Sequence, residues 1–463
     1  HGLNEVFGAA DAPIGIITHG TVFNTVMRSL ANLGLADEDG VTDPAISVLQ
    51  LNVVYPLCDD QIVEFIEGKR EVLLVEEGQP DLMEQQIRAM LHQRGIGTPF
   101  HGHDLVPGVG ELVPGRVLPA LADFLARLLP QRADAIRATA SGFMDRQKLA
   151  ASLFPKPVTP RPPTFCTGCP ERPVFSMMKI NEMLTGQKDW HATDVGCYGM
   201  AGLAPFHMAD SNMGMGGGLA AATALSAMSE QKNVSVVGDG TLWHSALNTC
   251  VVNGLYNKQD ATYLVLDNKW TAMTGAHENP NSGPQLTGEQ SGGDFNIERT
   301  FRGLGVKHVE KANPYHFRDF QKKLKKIQAD PEPQLRVLIS EAECQLQRQR
   351  TVKPMRAKAI AEGKRVEVER LGVDEEVCVG DHSCMRVNGC PSLTLEESPN
   401  TLKTAPVAAI DTTCVGCGVC GEIAHAAQLC PSFHKVTVVR NASRFERFMQ
   451  RLSARLLPAL RAA

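Results

Sequence analysis

The spacing of the cysteines constrains this chain more than any other feature. All but Cys58 and Cys250 of the thirteen cysteines stand in spaced groups, and the densest group lies near the carboxyl end. There Cys414, Cys417 and Cys420 follow one another at intervals of three residues, and a Cys-Pro pair comes ten residues later. This spacing lets three sulfurs bind three corners of an iron-sulfur cubane. Thirteen cysteines in 463 residues are too few for a disulfide scaffold, and thiolate ligands indicate a reducing, cytoplasmic location.

An earlier stretch repeats this arrangement with one change. Asp381 stands where the second cysteine of the motif would be, and a second Cys-Pro pair follows. The two halves together resemble a two-cluster bacterial ferredoxin, in which the cysteine before proline serves the other cluster. The resemblance implies one cluster on Cys390, Cys414, Cys417 and Cys420, and another on Cys378, Cys384 and Cys430 with Asp381 as the fourth candidate ligand. The second would be an aspartate-ligated 4Fe-4S cluster or a 3Fe-4S cluster. A zinc ribbon is the alternative, although it would not need the Cys-Pro pairs.

The rest of the chain alternates short apolar runs with segments of helical periodicity. This pattern predicts two α/β domains with parallel sheets and helices on both faces, at 1–130 and 164–345. Prolines predict a linker at 131–163, and a polar, basic stretch predicts a second linker, solvated or helical, at 346–372. The cysteine module would occupy 373–441. An amphipathic helix that docks on a neighbouring domain or subunit would occupy 442–463.

Charge and hydropathy exclude two classes of partner. The formal net charge of −5 gives no general attraction to nucleic acid. No run of about 18 residues is apolar enough to predict a membrane span. The sequence begins at His1 without a methionine, so we expect a longer precursor or further sequence before it.

Two motifs in the second α/β domain follow predicted strands. Gly238-Asp239-Gly240 ends one strand, and Asn268 ends the next. The pair resembles the thiamine diphosphate signature, which implies Mg²⁺ bound by Asp239, Asn268 and the backbone carbonyl of Trp270. Carboxylate and amide oxygens suit such a hard cation, and glycines let backbone approach phosphate. The run containing Gly214, Gly216 and Gly217 is expected to approach the cofactor closely, and a packing turn is the alternative.

A third set of cysteines accompanies the thiamine motifs. Cys166 and Cys169 form a Cys-x-x-Cys pair, Cys197 follows in Asp-Val-Gly-Cys-Tyr, and Cys344 lies beyond the last predicted strand. With the stretch from Leu266 to Gly275, these residues resemble the large subunit of indolepyruvate ferredoxin oxidoreductases. The resemblance implies a third cluster on the four cysteines, close to the thiamine, and a first domain of transketolase C-terminal type. Glu171 stands where relatives often have histidine, and Cys58 and Cys250 are expected to be buried apolar residues.

The resemblance also implies a reaction. A 2-oxoacid, by resemblance an arylpyruvate, would lose CO₂ and pass electrons through the clusters to ferredoxin, while coenzyme A collects the acyl group. A smaller partner subunit is implied as well. The catalytic residue that activates thiamine is a glutamate of a pyrimidine-binding domain, and we expect it outside this chain. A non-redox thiamine decarboxylase with structural clusters and a non-catalytic electron-transfer subunit are the alternatives.

Overall fold

The computed structural model of the protein describes residues 2–78, 80–154, 162–289, 295–398 and 400–456. The chain divides into two compact units, His1–Pro160 and Arg161–Ala463. The proline-rich connection predicted around residue 160 falls largely outside the described residues. The second unit contains both the thiamine motifs and the cysteine module, which the sequence predicted as separate domains.

The first unit is built on a five-stranded sheet in the order β1-β5-β2-β6-β7, in which β1 alone is antiparallel to its neighbour. The strands of this unit, including a short β3-β4 hairpin, are β1 Glu5–Gly8, β2 Ile14–His19, β3 Ala36–Asp37, β4 Gly40–Val41, β5 Ile46–Leu51, β6 Glu71–Val75 and β7 Phe100–His101. Its helices are α1 Val22–Asn32, α2 Asp59–Ile66, α3 Leu82–Arg94, α4 Pro114–Leu128 and α5 Ala133–Ser152, with a 3₁₀ turn at Pro130–Arg132. The alternating strands and helices agree with the predicted parallel α/β domain.

Apolar side chains cover both faces of this sheet. Leu73 and Val75 of β6 enter one core, and Val72 and Leu74 enter the other, as the two-residue strand period requires. The predicted linker at 131–163 needs correction, because most of it forms α5. Ala133, Ile136 and Ala140 in α5 are buried in the first of these cores. The helix was missed because only these few positions of its sequence are apolar and buried.

The second unit contains a six-stranded parallel sheet in the order β12-β13-β11-β10-β8-β9. Its strands are β8 Trp190–Asp194, β9 Ser211–Met213, β10 Asn233–Gly238, β11 Ala261–Asp267, β12 His308–Ala312 and β13 Leu335–Glu341. Its helices are α6 Glu171–Thr185, α7 Gly217–Met228, α8 Asp239–Thr241, α9 Val252–Tyr256, α10 Ile297–Gly303, α11 Phe317–Gln328 and α12 Gln345–Ala361, with a 3₁₀ helix at Cys197–Gly202 and a π-helix at Leu242–Val251. Alternate residues of β11 enter different cores, Leu264 and Leu266 on one face and Tyr263 and Val265 on the other. Helices therefore cover both faces, as the sequence predicted.

The cysteine module begins earlier than predicted. Residues 366–372 were assigned to a linker, but they belong to β14, which pairs antiparallel with β17 over its whole length. Residues 346–361 of the predicted linker belong to the helix α12, which is the helical form that the sequence had left open. The module consists of β14 Val366–Val373, α13 Ser383–Arg386, β15 Leu393–Glu396, β16 Val407–Ile410, α14 Val419–Gln428 and β17 Phe433–Arg440, with β15 paired to β16.

The predicted amphipathic helix is α15, Arg444–Leu456, and residues beyond 456 lie outside the described part of the chain. Phe445 and Phe448 of this helix are 72% and 60% exposed, so the apolar face predicted to dock is uncovered in this chain. None of the helices in the described ranges is long and apolar enough to cross a membrane.

Candidate active site and cluster sites

Two neighbouring strands carry the predicted thiamine motifs to one edge of the sheet. β10 and β11 are parallel, with Gly238 opposite Leu266, so Asp239 and Asn268 follow the same end of adjacent strands. Ligands of open α/β sheets bind at this end because loops from several strands converge there. The topology therefore brings together the two side chains that the sequence predicted as Mg²⁺ ligands.

Asp239 is completely buried among polar groups. One carboxylate oxygen accepts a hydrogen bond from the backbone N–H of Gly240 at 2.9 Å, and the other accepts one from Asn279 Nδ2 at 3.2 Å. Burial, with a smaller contribution from the charge of Asp267, raises the pKa of Asp239 to about 7. A divalent cation would compensate the buried negative charge, so this carboxylate fits the predicted cation site. The Asn279 contact spans 40 residues of sequence, and no spacing motif indicates it.

Asn268 is held by hydrogen bonds at both ends of its amide. Its Oδ1 accepts from the backbone N–H of Trp270 at 3.0 Å, and its Nδ2 donates to Glu171 Oε1 at 3.0 Å. Glu171 is 3% exposed, and its second oxygen has no hydrogen-bond partner. Burial raises the pKa of Glu171 to about 7. The sequence alone left the role of Glu171 open, and the structure makes it the partner of a predicted Mg²⁺ ligand.

A small cavity, partly open to solvent, connects the thiamine motifs with one cysteine of the third set, Cys197. It is lined by Gly238, Gly240, Asn268 and Trp270 together with Cys197. A side chain at position 240 would not fit, since a Cβ there would lie 2.0 Å from Thr271 Oγ1. The second glycine of the motif is therefore required by the close approach of the loop that carries Trp270 and Thr271.

Backbone conformation and packing explain two of the three glycines at 214, 216 and 217. Gly216 is in the left-handed region with φ of +90°, and its N–H donates to Asp194 Oδ2 at 2.7 Å. A Cβ at Gly217 would lie 2.7 Å from the Cβ of Met213, whereas a Cβ at Gly214 would meet nothing within 4 Å. Met215 lines the cavity. Contact between these glycines and a cofactor stays a prediction.

The third set of cysteines, named the proximal set, consists of neighbours in the fold: Cys166, Cys169, Cys197 and Cys344. Burial raises the pKa of Cys197 far above its ordinary value, and the charges of Glu171, Cys344 and Cys166 raise it further. Burial likewise raises the pKa of Cys169, with Glu171 and Cys197 adding to the effect. The N–H of Cys344 donates to the backbone carbonyl of Asn268 at 3.0 Å, so this cysteine joins the proximal set directly to the thiamine motif. In the sequence, only the position of Cys344 beyond the last predicted strand had indicated that it belongs to this set.

The module cysteines form two further sets in the predicted combinations. Cys390, Cys414, Cys417 and Cys420 line one small cavity. Cys384 belongs to the other set, since burial, together with smaller contributions from the charges of Cys378, Cys430 and Asp381, raises its pKa to about 11. The imidazole of His382, which follows Asp381 in the sequence, contacts the carbonyl of Pro406 at 2.8 Å through Nε2. Asp381 accepts a hydrogen bond from Ser383.

The sulfur spacing distinguishes the two predicted kinds of metal site. Sulfurs on one tetrahedral zinc ion lie about 3.8 Å apart, because zinc–sulfur bonds are near 2.3 Å. Every cysteine lies in the described ranges, and there no three cysteine sulfurs come within 4.8 Å of one another. In the described part of the chain, no three thiols are therefore spaced like the ligands of one tetrahedral zinc ion. Of the two remaining cysteines, Cys250 is buried as expected, but Cys58 is exposed at the start of α2, so that expectation was wrong.

The sequence is similar to two protein-family models and to several known proteins. Residues 194–336 match the C-terminal TPP-binding domain of thiamine pyrophosphate enzymes, and residues 3–95 match the indolepyruvate ferredoxin oxidoreductase middle domain. The chain is 29% identical over 442 residues to indolepyruvate oxidoreductase subunit IorA of Thermococcus kodakarensis, covering 92% of this chain and 61% of that protein. It is 30% identical over 449 residues to IorA of Pyrococcus horikoshii, covering 94% of this chain and 62% of the relative.

A solved structure of 2-oxoglutarate:ferredoxin oxidoreductase from Magnetococcus marinus is a weaker match. It is 19% identical, covers 40% of this chain and 66% of the other, and has a TM-score of 0.34. A score this low does not by itself establish a common fold. The chain spans about three fifths of the length of the IorA relatives named above.

Proposed function

Since the chain is a homologue of the IorA subunits of indolepyruvate oxidoreductases, we propose that it is the coenzyme-binding and electron-conducting part of a 2-oxoacid:ferredoxin oxidoreductase. Its substrates would be arylpyruvates such as indolepyruvate, with coenzyme A as acyl acceptor, ferredoxin as electron acceptor and a smaller partner subunit. The observation that supports this best is the single cavity lined by the thiamine motifs and by Cys197.

The residues around this cavity fit the groups they would hold. Asp239 offers a buried carboxylate, Asn268 an amide oxygen and Trp270 a backbone carbonyl, which are hard ligands for an Mg²⁺ ion that would carry the diphosphate. Glu171 fixes the Asn268 side chain through the bond to its Nδ2. Bound thiamine diphosphate supplies the electron sink for decarboxylation, and iron-sulfur clusters accept electrons one at a time.

The three cysteine sets give the electrons a path out of the cavity. Cys344 is tied to Asn268, and Gly168, within the Cys166–Cys169 pair, approaches Val415 of the module so closely that a Cβ on Gly168 would lie 2.3 Å from it. Val415 lies between two cysteines of the next set. The proximal set and the first module set therefore lie against one another, and the set with Asp381 would hold the last cluster.

Anaerobic purification of the chain together with the partner subunit and with the sequence or chain that carries the activating glutamate tests the proposal. About twelve irons per chain, with sulfide and thiamine, and coenzyme A-dependent reduction of a viologen dye by arylpyruvates would support it. Pyruvate, 2-oxoglutarate and branched-chain oxoacids complete the substrate panel. Aldehyde formation without coenzyme A or acceptor would instead indicate a decarboxylase. Clusters without thiamine would indicate a non-catalytic electron-transfer subunit.

A matched pair of variants tests the coenzyme site separately. We expect Asp239→Asn to lower thiamine diphosphate affinity at least tenfold, because the buried carboxylate is the charged ligand of the cation. Asp319→Asn is the control, since Asp319 is an exposed residue of α11 paired with Lys323. Equal thiamine content in both variants would contradict the assignment of Asp239.

A further inference from the structure

Arg172 is the largest side chain that is completely buried in the described part of the chain. It is the second residue of α6 and directly follows Glu171. A guanidinium stays charged in proteins, and burying a charge is costly unless it is paired and hydrogen-bonded. The structure must therefore offer this cation a compensating partner, or the position would be strongly destabilising.

The protein atoms around Arg172 supply only one such contact. Nη1 donates to Asn388 Oδ1 at 2.8 Å, while Nε and Nη2 have no hydrogen-bond partner. Asn388 is itself fully buried and neutral, and no carboxylate of the described residues lies within 4.0 Å of this guanidinium. Two donor nitrogens, which carry three N–H groups, and one positive charge thus remain uncompensated in the interior.

The groups around Arg172 indicate what could compensate its charge and its unpaired N–H groups. Its side chain lines the cavity formed by Cys390, Cys414, Cys417 and Cys420. Burial raises the pKa of Cys417 and Cys420, and the charge of Arg172 acts in the opposite direction on both thiols. The same charge opposes the effect of burial at Cys166 and Cys169. Arg172 therefore lies between the proximal cysteines and the first module set.

We propose that Arg172 donates its Nε–H and Nη2–H to sulfur atoms of the cluster held by Cys390, Cys414, Cys417 and Cys420, and that its charge favours the reduced cluster. This inference rests on the proposed function, which supplies the clusters. A 4Fe-4S core with four thiolates carries a net charge of −2, which becomes −3 when the core accepts one electron and passes from the 2+ to the 1+ state. A buried cation stabilises the second state more, so it raises the reduction potential.

The first experiment measures that potential in the holoenzyme. Reductive titration is followed by electron paramagnetic resonance, and the signal is assigned by its loss in Cys414→Ser. Arg172→Gln removes the charge, and we expect the equilibrium constant for one-electron reduction of this cluster to fall at least tenfold, which is a shift of about 59 mV to lower potential. Arg172→Lys keeps the charge and should retain most of the native potential.

Arg336→Gln is the matched control, because Arg336 is also buried but is paired with Asp260 at 2.7 Å, away from the cysteines. An unchanged potential in a fully loaded Arg172→Gln protein would overturn the inference. Iron and sulfide are assayed in every sample, so that absence of clusters from the unsubstituted protein counts against the proposed function instead.

A second measurement does not depend on the glutamine variant folding. Protein labelled with ¹⁵N only in arginine is reduced, and hyperfine coupling of ¹⁵N to the assigned cluster is sought by pulsed resonance. We expect coupling in the native protein and its loss in Arg172→Lys. A native protein with clusters but no arginine coupling would refute the donor role.

Discussion

Gly240→Ala offers a quantitative test of how the loop after β11 closes over the coenzyme motif. Gly240 lies in a helical turn, where alanine is ordinarily more stable by about 0.5–1 kcal/mol. Here, however, the new Cβ would lie 2.0 Å from Thr271 Oγ1, 2.8 Å from Thr271 Cβ and 3.1 Å from Thr271 Cα. A shift of a few tenths of an ångström cannot relieve such contacts.

The two effects can be weighed against each other. Overpacking of a filled interior costs about 1–3 kcal/mol, and the severity of this clash places it at the upper end. We therefore expect Gly240→Ala to lower the free energy of unfolding by about 2 kcal/mol after the helical gain is subtracted. Displacement of Thr271 also moves the neighbouring Trp270, so thiamine diphosphate affinity should fall as well.

Tryptophan emission provides a clean readout, because all three tryptophans lie in the second unit, at 190, 243 and 270. Urea unfolding is compared with Gly303→Ala, a helical glycine in the same unit with nothing within 4 Å of the new Cβ. That control should be neutral or stabilised. A double-mutant cycle with Thr271→Gly should show a favourable coupling of about 1–3 kcal/mol. Additive effects, or a Gly240→Ala protein as stable as the control, would refute the packing argument.

Further predictions concern the cysteines and the first unit. Cys420→Ser should lose about four irons per chain by colorimetric assay, whereas Cys250→Ser, also buried but outside the cysteine sets, should lose none. Asp381→Cys should change the resonance spectrum of one cluster and slow its loss of iron in air, and an unchanged spectrum would count against Asp381 as a ligand. Hydrogen bonds from Arg127 are the main cause that lowers the pKa of Glu71, so the folded state binds that proton less tightly than the unfolded state. The Glu71–Arg127 pair therefore stabilises the folded state fully above about pH 4.5, the pKa of Glu71 in the unfolded chain. The stabilisation is lost as the pH falls through the lower pKa of Glu71 in the folded state. Glu71→Gln should cost about 1 kcal/mol at pH 7 and less at pH 3 in urea unfolding followed by circular dichroism. An equal cost at both values would contradict the role of the charge.

The sequence predicted the parts of the fold that depend on local pattern. β10, β11 and β13 are apolar runs, and a parallel sheet brings the loops at their carboxyl ends to one edge, so the meeting of Asp239 with Asn268 could be anticipated. The grouping of the module cysteines was accessible too, because their spacing defines the ligand loop.

Other features depend on packing between distant segments. Glu171 and Arg172 are charged residues at the first turn of a helix, a position that is normally solvated, yet both are buried. Glu171 is bonded to Asn268 of the thiamine motif, and Arg172 is bonded to Asn388 of the module. Nothing in the local sequence predicts this contact, which joins residues 216 positions apart. The helix α5 and the strand β14 were missed for a related reason, since burial at a few positions, or pairing with a remote strand, decides their structure.

The pairing of β14 with β17 has a consequence for how the chain can change. Val366 lies opposite Arg440 and Val373 opposite Phe433, so the polypeptide enters and leaves the cysteine module side by side. Because the two ends of the segment adjoin, it can be exchanged, lengthened or removed without moving the flanking helices α12 and α15. The β14–β17 pair would then allow a cysteine module with a different number of cluster sites to be joined to the same coenzyme-binding sheet.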